Sequence, residues 1–312
     1  MKKIPSLLLK SFVSLALLAL LFYLAEWDEL RRLAVSVDWR LLTGGLFCVV
    51  AGVVISCFKW QVILRVDGLD CPLSTLVRYY LIGTFFNNFL PTSIGGDAVR
   101  AYYITRKCGR PSVGVSSILA ERLSGLAILV LLPIFAFFPS SVFVPVSIPG
   151  LLVGVLTALV LVVWLLLMSP VRKFGEVRLP KRIHEGMESI FRALIRYMSD
   201  ARTLLVVLLC SVVFNGLVVL SSWFVAGALG LNLSMVDLMV VVPLVVLLTL
   251  IPFSLNGLGI REGGFIFFLA PLGVSTTEAM AYSLSHYLLM ILLSVAGGLL
   301  FGFYRSREGY AT

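Results

Sequence analysis

The chain has 312 residues, of which 60% are hydrophobic and 13% are charged, and its mean hydropathy is +1.04. This composition is that of a polytopic membrane protein, and it leaves no room for a sizeable soluble catalytic domain. The formal net charge of +9 does not indicate nucleic-acid binding. The basic residues lie in loops between apolar runs, where the positive-inside rule and attraction to anionic lipids account for them.

Hydropathy predicts an all-α fold of about six full spans and two re-entrant helical hairpins. The run that follows Lys2-Lys3 is too long for a typical signal core and lacks a small-x-small cleavage pattern, so it is interpreted as an uncleaved first helix. The predicted spans are 7–25, 41–58, 112–138, 150–168, 204–229 and 278–303.

The stretches 76–107 and 235–272 are also apolar, but Pro and Gly motifs divide each of them into two pieces. A piece of about 13 helical residues is only about 20 Å long and cannot cross the hydrocarbon alone. Each stretch is therefore predicted to form a hairpin with its bend near the depth of the bilayer.

Loop charges predict the orientation. Segment 172–202 carries eight Lys/Arg against four acidic residues and is predicted to be cytoplasmic, whereas 139–149 is uncharged and suits the outside. Arg305 and Arg307 place the C-terminus inside, and the N-terminus is predicted there too. The first hairpin then enters from the cytoplasm and the second from outside. Units 41–138 and 204–303 thus form an inverted repeat in one membrane domain, 1–312.

The connector 172–202 contains an apolar stripe at helical spacing, flanked by basic residues. One interpretation is a surface helix in the cytoplasmic interface. The other is a linker helix packed on its own protein. The stripe consists of Ile183, Met187, Ile190, Phe191, Leu194 and Met198.

Two polar segments that interrupt the hairpins share one pattern. In each, a Ser follows a Pro by two residues, a Gly by five and an Arg by nine. The segments are Pro91-Thr92-Ser93-Ile94-Gly95-Gly96-Asp97-Ala98-Val99-Arg100 and Pro252-Phe253-Ser254-Leu255-Asn256-Gly257-Leu258-Gly259-Ile260-Arg261. Broken hydrophobic segments at corresponding places in two halves of a chain indicate a transporter binding site.

The glycines of these segments let the backbone turn sharply and expose its N–H groups. If a half-helix begins just after each, its N-terminal dipole forms an anion site suited to phosphate or carboxylate. Arg100 and Arg261 then clamp a phosphate in a bidentate way. Alternatively, the glycines only shape the bend and Arg100 snorkels to the surface. The glycines concerned are Gly95, Gly96, Gly257 and Gly259.

Acidic residues accompany both arginines. Asp97 and Glu262 have three interpretations: they complement a helix dipole, pair with the arginines, or bind a cationic headgroup or a proton. In Glu121-Arg122, neighbours on a helix do not face one another, so Glu121 is expected to contact Arg100 or Arg261. Asn88, beside the first bend, is expected to satisfy broken backbone groups or to contact a headgroup.

Little in the sequence indicates catalysis or a cofactor. The five cysteines show neither a disulfide framework nor metal spacing, and the chain has only two histidines, His184 and His286. No metal, cofactor or nucleotide-binding motif is predicted. His286 is either a proton relay or a satisfied polar residue in a helix bundle.

Phe86-Asn87-Asn88-Phe89-Leu90-Pro91, the two Gly/Arg segments and Glu121-Arg122 together resemble the lysylphosphatidylglycerol synthase transmembrane-region family over about residues 10–305. The resemblance implies a standalone member, without the aminoacyl-transferase domain, that acts as a multi-pass lipid translocase. It places the following residues in or near the lipid path: Asp97, Arg100, Glu121, Arg122, Arg261 and Glu262. His286 stands where relatives often have an Arg. The family covers varied lipids, including glycolipids and polyprenyl-linked sugars.

The leading hypothesis is a flippase of the bacterial inner membrane for a phospholipid or another phosphate-bearing lipid, with an anionic or zwitterionic headgroup bound between the hairpins. Translocation of a glycolipid or polyprenyl-phosphate sugar is an alternative, and a homo-oligomer is possible. A membrane enzyme that transfers a group to or from a lipid phosphate would need a general base near a nucleophile. A scaffold for partner proteins leaves the paired intramembrane charges unexplained.

Overall fold

The computed structural model describes residues 26–89, 95–142, 181–250 and 254–308, together with Ala19 and Tyr23. The described residues form ten α-helices and two short 3₁₀ turns, which confirms the all-α class. The helices are α1 (Trp27–Ser36), α2 (Trp39–Val66), α3 (Leu73–Phe89), α4 (Gly95–Cys108), α5 (Pro111–Ala136), α6 (Lys181–Ser199), α7 (Ala201–Ala228), α8 (Met235–Thr249), α9 (Ile260–Leu269) and α10 (Thr276–Glu308).

Within the described ranges, four helices are long and apolar enough to cross a membrane, and they correspond to four of the six predicted spans. They are α2, α5, α7 and residues Thr276–Phe303 of α10. The predicted spans 7–25 and 150–168 lie outside the described residues. The chain is therefore a multi-pass membrane protein.

Two element boundaries differ from the prediction. The span predicted to end at residue 58 continues to Val66, because Lys59 finds hydrogen-bond acceptors inside the bundle and does not mark a loop. The predicted loop 26–40 contains α1, which is attached to the start of α10. There the Glu26 N–H donates to Thr277 Oγ1 at 3.1 Å, and Ser275 Oγ donates to Glu29 Oε1 at 3.4 Å.

The long helices α2 and α7 are built alike and pack against each other. Each has 28 residues, and an Asp directly before its first turn accepts a backbone N–H, Asp38 from Arg40 and Asp200 from Arg202. Each also ends in the same way. Gly68 and Gly230 adopt φ of +73° and +74°, and the following residue donates to a carbonyl of the last turn, as in a Schellman motif.

The helix pairs α3–α4 and α8–α9 correspond to the predicted hairpins. α3 runs antiparallel to α4, since Tyr79 stacks on Tyr103 at 4.7 Å near one end and Asn87 bonds Gly96 near the other. These helices have 17, 14, 15 and 10 residues, or about 26, 21, 22 and 15 Å at 1.5 Å per residue. All four are shorter than the hydrocarbon thickness of about 30 Å.

The helices α2, α3, α4 and α5 correspond in order to α7, α8, α9 and α10. When each helix is replaced by its counterpart, the same pairs of helices are in contact. α3 packs on α10 just as α8 packs on α5, and α2 and α7 each contact both fourth helices, α5 and α10. The connector helix α6 packs on α5 as α1 packs on α10. The described residues thus form two similar four-helix units joined across α2 and α7.

Contacts between helix ends define two ends of the bundle. At the first end, Asp67 after α2 accepts an ion pair from Arg196 of α6 at 2.7 Å, and its carbonyl accepts from Arg110 at 2.9 Å. At the second end, Asp38 N–H donates to Ala228 O at 2.9 Å and Ser141 N–H to Asp237 at 2.7 Å. The α3–α4 pair begins and ends at the first end, and the α8–α9 pair at the second.

The connector helix α6 lies against its own protein. Leu194 and Tyr197 are buried in a cluster with Ile63 of α2 and Val207 of α7, and Ile190 packs beside them. For this part of the apolar stripe the structure therefore agrees with the packed-linker alternative. The side chains of Ile183 and Met187 lie outside the described set.

Candidate functional site

Arg100 lies in the second turn of α4, and its side chain is only 3% exposed. Its guanidinium carbon is 4.3 Å from the ring centre of Trp60 and 4.5 Å from that of Tyr80, an arrangement that stabilises a cation. One guanidinium nitrogen donates to Glu121 Oε2, and another lies 3.5 Å from Asp97 Oδ1. Arg100 therefore does not snorkel, and Glu121 contacts Arg100 rather than Arg261.

Glu121, itself 5% exposed, also binds the helix α2. Ser56 Oγ donates to Glu121 Oε1 at 2.5 Å. The ammonium of Lys59, also buried, donates to the Glu121 carbonyl at 3.1 Å and to Ser211 Oγ of α7 at 3.2 Å. Glu121 and Lys59 together thus connect four helices, α2, α4, α5 and α7.

Arg122 and Asp97 form the exposed edge of the same group. Arg122 Nε and Nη2 each donate to Asp97 at 2.9 Å, in the bidentate fork geometry that also suits phosphate. The Arg122 side chain is 56% exposed and that of Asp97 is 14% exposed. We call Lys59, Asp97, Arg100, Glu121 and Arg122 the first charged cluster. It holds three cationic and two anionic side chains.

The second charged cluster consists of Arg261, Glu262 and Ser283. Arg261 Nη2 donates to Glu262 Oε1 at 2.5 Å and Nε to Ser283 Oγ at 3.2 Å, while the guanidinium stacks on Tyr287 at 4.2 Å. Glu262, 1% exposed, also accepts the backbone N–H of Gly259 at 2.6 Å, which caps the start of α9. In both clusters the predicted acidic residues pair with the arginines.

The glycine-rich segments differ from the predicted anion sites in two respects. α4 begins at Gly95, so Gly95 and Gly96 lie in its first turn rather than before it, whereas α9 begins just after Gly259 as predicted. The Gly96 N–H donates to Asn87 Oδ1 at 2.7 Å and the Gly259 N–H to Glu262. These two donors are therefore occupied by the protein itself.

The close approach of the helices explains Gly96 and Gly257 better than anion binding does. A Cβ at Gly96 would stand 1.9 Å from the carbonyl oxygen of Gly83 on α3. Gly257 has φ of +76°, a conformation that side chains rarely adopt, and a Cβ there would meet the Thr249 side chain at 2.8 Å. Both glycines let the two helices of a hairpin pack closely near its tip.

The tips of the two hairpins meet at a pair of asparagines. Asn256, with φ of +51°, donates from Nδ2 to Asn88 Oδ1 at 3.1 Å, and the Asn88 amide nitrogen is buried without a partner among the described residues. Pro91 to Ile94 and residues 251–253, the remaining parts of the two bends, lie outside the described residues.

Sequence reasoning identified the charged residues of both clusters except Lys59. It also missed the aromatic walls of Arg100 and the hydroxyls of Ser56, Ser211 and Ser283. The sequence feature that indicates a buried Lys59 is its position within the apolar run Cys57-Phe58-Lys59-Trp60.

Comparison with known proteins places the chain in a family. The model of the family described as "Lysylphosphatidylglycerol synthase TM region" matches residues 7–298. No curated protein matches the chain. Because the match covers nearly the whole chain, this protein belongs to the lysylphosphatidylglycerol synthase transmembrane-region family.

Proposed function

We propose that this membrane protein, whose family indicates a lipid-related function, is a flippase for a lipid with a phosphate-bearing headgroup. The observation that carries the proposal is the pair of buried arginine clusters, one on each hairpin, with the hairpin tips in contact at Asn88 and Asn256. Charged groups inside a membrane bundle are costly and mark substrate or ion pathways.

The charge balance supports an anionic headgroup. The first charged cluster carries one more cationic than anionic side chain when all five are ionised. Arg122, the exposed member, presents its fork to Asp97, and a phosphate has the geometry to replace that carboxylate. Arg100 behind it would then hold Glu121 and supply positive potential, while the acyl chains stay in the bilayer.

The arrangement of the two units supports alternating access. The first hairpin comes from the end that carries Arg110 and Arg196, the second from the opposite end, and their tips meet between the two. This is the arrangement expected of re-entrant hairpins in an inverted repeat. By the positive-inside rule the first end would face the cytoplasm of a bacterial inner membrane. Rocking of one unit against the other would move the headgroup.

The test is lipid flipping in proteoliposomes made with purified protein and lipids labelled on different headgroups. Wild-type protein should flip phosphate-bearing lipids selectively, and Arg100→Ala and Arg261→Ala should abolish flipping. Arg65→Ala is the matched control, since Arg65 pairs with Asp70 at the surface, and it should keep the wild-type rate. Equal flipping by all variants would refute the proposed site. A covalently altered lipid product would instead support the transferase alternative.

A further inference from the structure

The two units place different residues opposite their buried arginines. Glu121 is the eleventh residue of α5 and His286 is the eleventh residue of α10. Counting each helix from its first residue also matches Trp60 of α2 to Ser222 of α7, and Ser117 of α5 to Tyr282 of α10. Trp60 and Ser117 are hydrogen-bonded at 3.1 Å, and Ser222 and Tyr282 are also neighbours. At the position where the first unit has the Glu121 carboxylate, the second unit therefore has the His286 imidazole.

The geometry of the second charged cluster places His286 beside Arg261. Arg261 Nε bonds Ser283 at 3.2 Å, and the guanidinium covers the Tyr287 ring at 4.2 Å. Ser283 and Tyr287 bracket His286 on one face of α10, because residues three and four apart on a helix are neighbours. His286 Nδ1 is buried and has no hydrogen-bond partner among the described residues.

We infer that His286 is a reversible proton-binding site whose protonation controls lipid flipping. This inference rests on the proposed flippase function and adds its regulation. A proton from water adds to a ring nitrogen as the pH falls and returns to water as the pH rises. No bond of the lipid changes.

The surroundings of His286 determine what protonation does. The charged groups of the second cluster beside it are Arg261 and Glu262 of α9, which are paired with each other, and α10 itself adds Tyr282 and Tyr287. α2 contributes Gly45, which faces Leu289 of α10, and α7 contributes Ser222, which lies beside Tyr282. α3 meets α10 further along at Gly297, and Glu26 and Glu29 of α1 lie at its start.

In this arrangement Glu262 is already paired with Arg261, so an imidazolium at position 286 would stand beside a guanidinium without a carboxylate of its own. That is unfavourable. Acidification therefore shifts the population away from this arrangement and toward one in which His286 is hydrated or Glu262 is released from Arg261. Because the arginines of both clusters are paired internally here, the shift opens the headgroup site, and flipping accelerates as the pH falls.

The first experiment measures flipping at equal pH on both sides of the proteoliposome membrane. The wild-type rate should rise about fivefold as the pH falls from about 7.5 to about 5, with most of the rise at the acidic end because the imidazolium is unfavourable beside Arg261. His286→Gln should remove this pH dependence. His184→Gln, which changes the other histidine of the chain, should retain it. An unchanged pH response in His286→Gln would overturn the inference.

A second measurement does not depend on flipping. With His184 replaced by Gln, the imidazole of His286 is the only one in the chain, so NMR of histidine-labelled protein in nanodiscs reports its protonation directly. It should change from neutral to cationic over the pH range in which flipping accelerates. An imidazole that stays neutral throughout that range in folded protein would overturn the proton site. Titration without any lipid flipping would refute the flippase but leave the site standing.

Discussion

Glu121 joins three helices through its own atoms. Its carboxylate binds Arg100 of α4 and Ser56 of α2, and its carbonyl binds Lys59 of α2. Removing one partner of a buried ion pair leaves an uncompensated buried charge, which is far more costly than losing a surface pair. The stability of the bundle should therefore depend strongly on this side chain.

Glu121→Ala should lower the free energy of unfolding by about 3–5 kcal/mol. Arg65→Ala, which breaks a pair whose side chains are 54% and 80% exposed, should cost at most about 1 kcal/mol. Thermal unfolding in detergent can be followed with a thiol-reactive dye, since Cys48, Cys57, Cys71 and Cys210 are buried and free. Equal melting temperatures for the two variants would contradict the structural role given to Glu121.

Tyr197 ties the connector helix to the first end of the bundle. Its hydroxyl donates to Asp67 and lies 3.1 Å from Ser116 Oγ. Burial, and next the hydrogen bond to the Asp67 carboxylate, raise the pKa of Tyr197 above its ordinary value. A raised pKa in the folded state contributes stability that is complete below the unfolded pKa of about 10 and is lost as the pH rises through the folded pKa.

Tyr197→Phe should therefore be less stable than the wild type by about 1–2 kcal/mol near pH 8, and the difference should shrink above about pH 10. Melting temperatures of both proteins, measured from about pH 8 to about pH 11.5 so that the range extends well above the ordinary tyrosine pKa, check this expectation. A difference that stays constant across the range would show that the hydroxyl contributes only packing.

At the residue scale, the sequence predicts which charged residues lie inside the bundle better than it predicts their partners. Arg100, Glu121 and Glu262 were identifiable because charges are costly inside apolar runs. The choice of Arg100 over Arg261 as the partner of Glu121 depends on how α4 and α5 pack, which a single sequence does not encode locally. Lys59 was missed because its acceptors come from α5 and α7.

At the scale of elements, the hairpins depend on small residues where backbones meet. A Cβ at Gly96 would stand 1.9 Å from the Gly83 carbonyl oxygen, and one at Gly297 would stand 2.0 Å from the Leu81 carbonyl oxygen. Backbone atoms at such distances cannot shift without moving a whole helix, so these positions fix how closely α3 approaches α4 and α10.

Gly96→Ala should therefore lower the melting temperature and reduce flipping, because α4 must move away from α3. Gly216→Ala is the matched control. Gly216 lies inside α7, and no described atom outside its own helical turn lies within 4 Å of the place that an added Cβ would take. The new methyl group should therefore be neutral or slightly stabilising in the helix. A normal melting temperature for Gly96→Ala would contradict the close packing of the hairpin.

Helix existence was predictable at this scale, whereas several boundaries were not. The four long helices follow from their apolar length, and the Pro and Gly motifs correctly divided both hairpins. α2 was predicted too short because Lys59 resembles the end of a span. α1 was missed because its ten residues mix apolar and charged side chains, and its contacts lie at Thr277 and Ser275, far along the chain.

At the scale of the whole molecule, two similar units meet at α2 and α7 and again at the hairpin tips. Loop charges and the repeated Pro–Ser–Gly–Arg pattern predict an inverted repeat of units 41–138 and 204–303, and this stays a prediction. The described helices pack as two similar four-helix units. The contact of Asn256 with Asn88 could not be predicted. It depends on the relative placement of two hairpins that are distant in sequence.

Rocking of the units requires the hairpin tips to separate or slide, so the central claim can be tested by joining them. In a background without the native cysteines, Asn88→Cys and Asn256→Cys would be linked by a short reducible cross-linker, and lipid flipping would be measured in proteoliposomes before and after reduction. We expect the link to abolish flipping, reduction to restore it, and Asn88→Cys alone to be unaffected by the reagent. Flipping at the full rate with the tips joined would contradict alternating access through these hairpins.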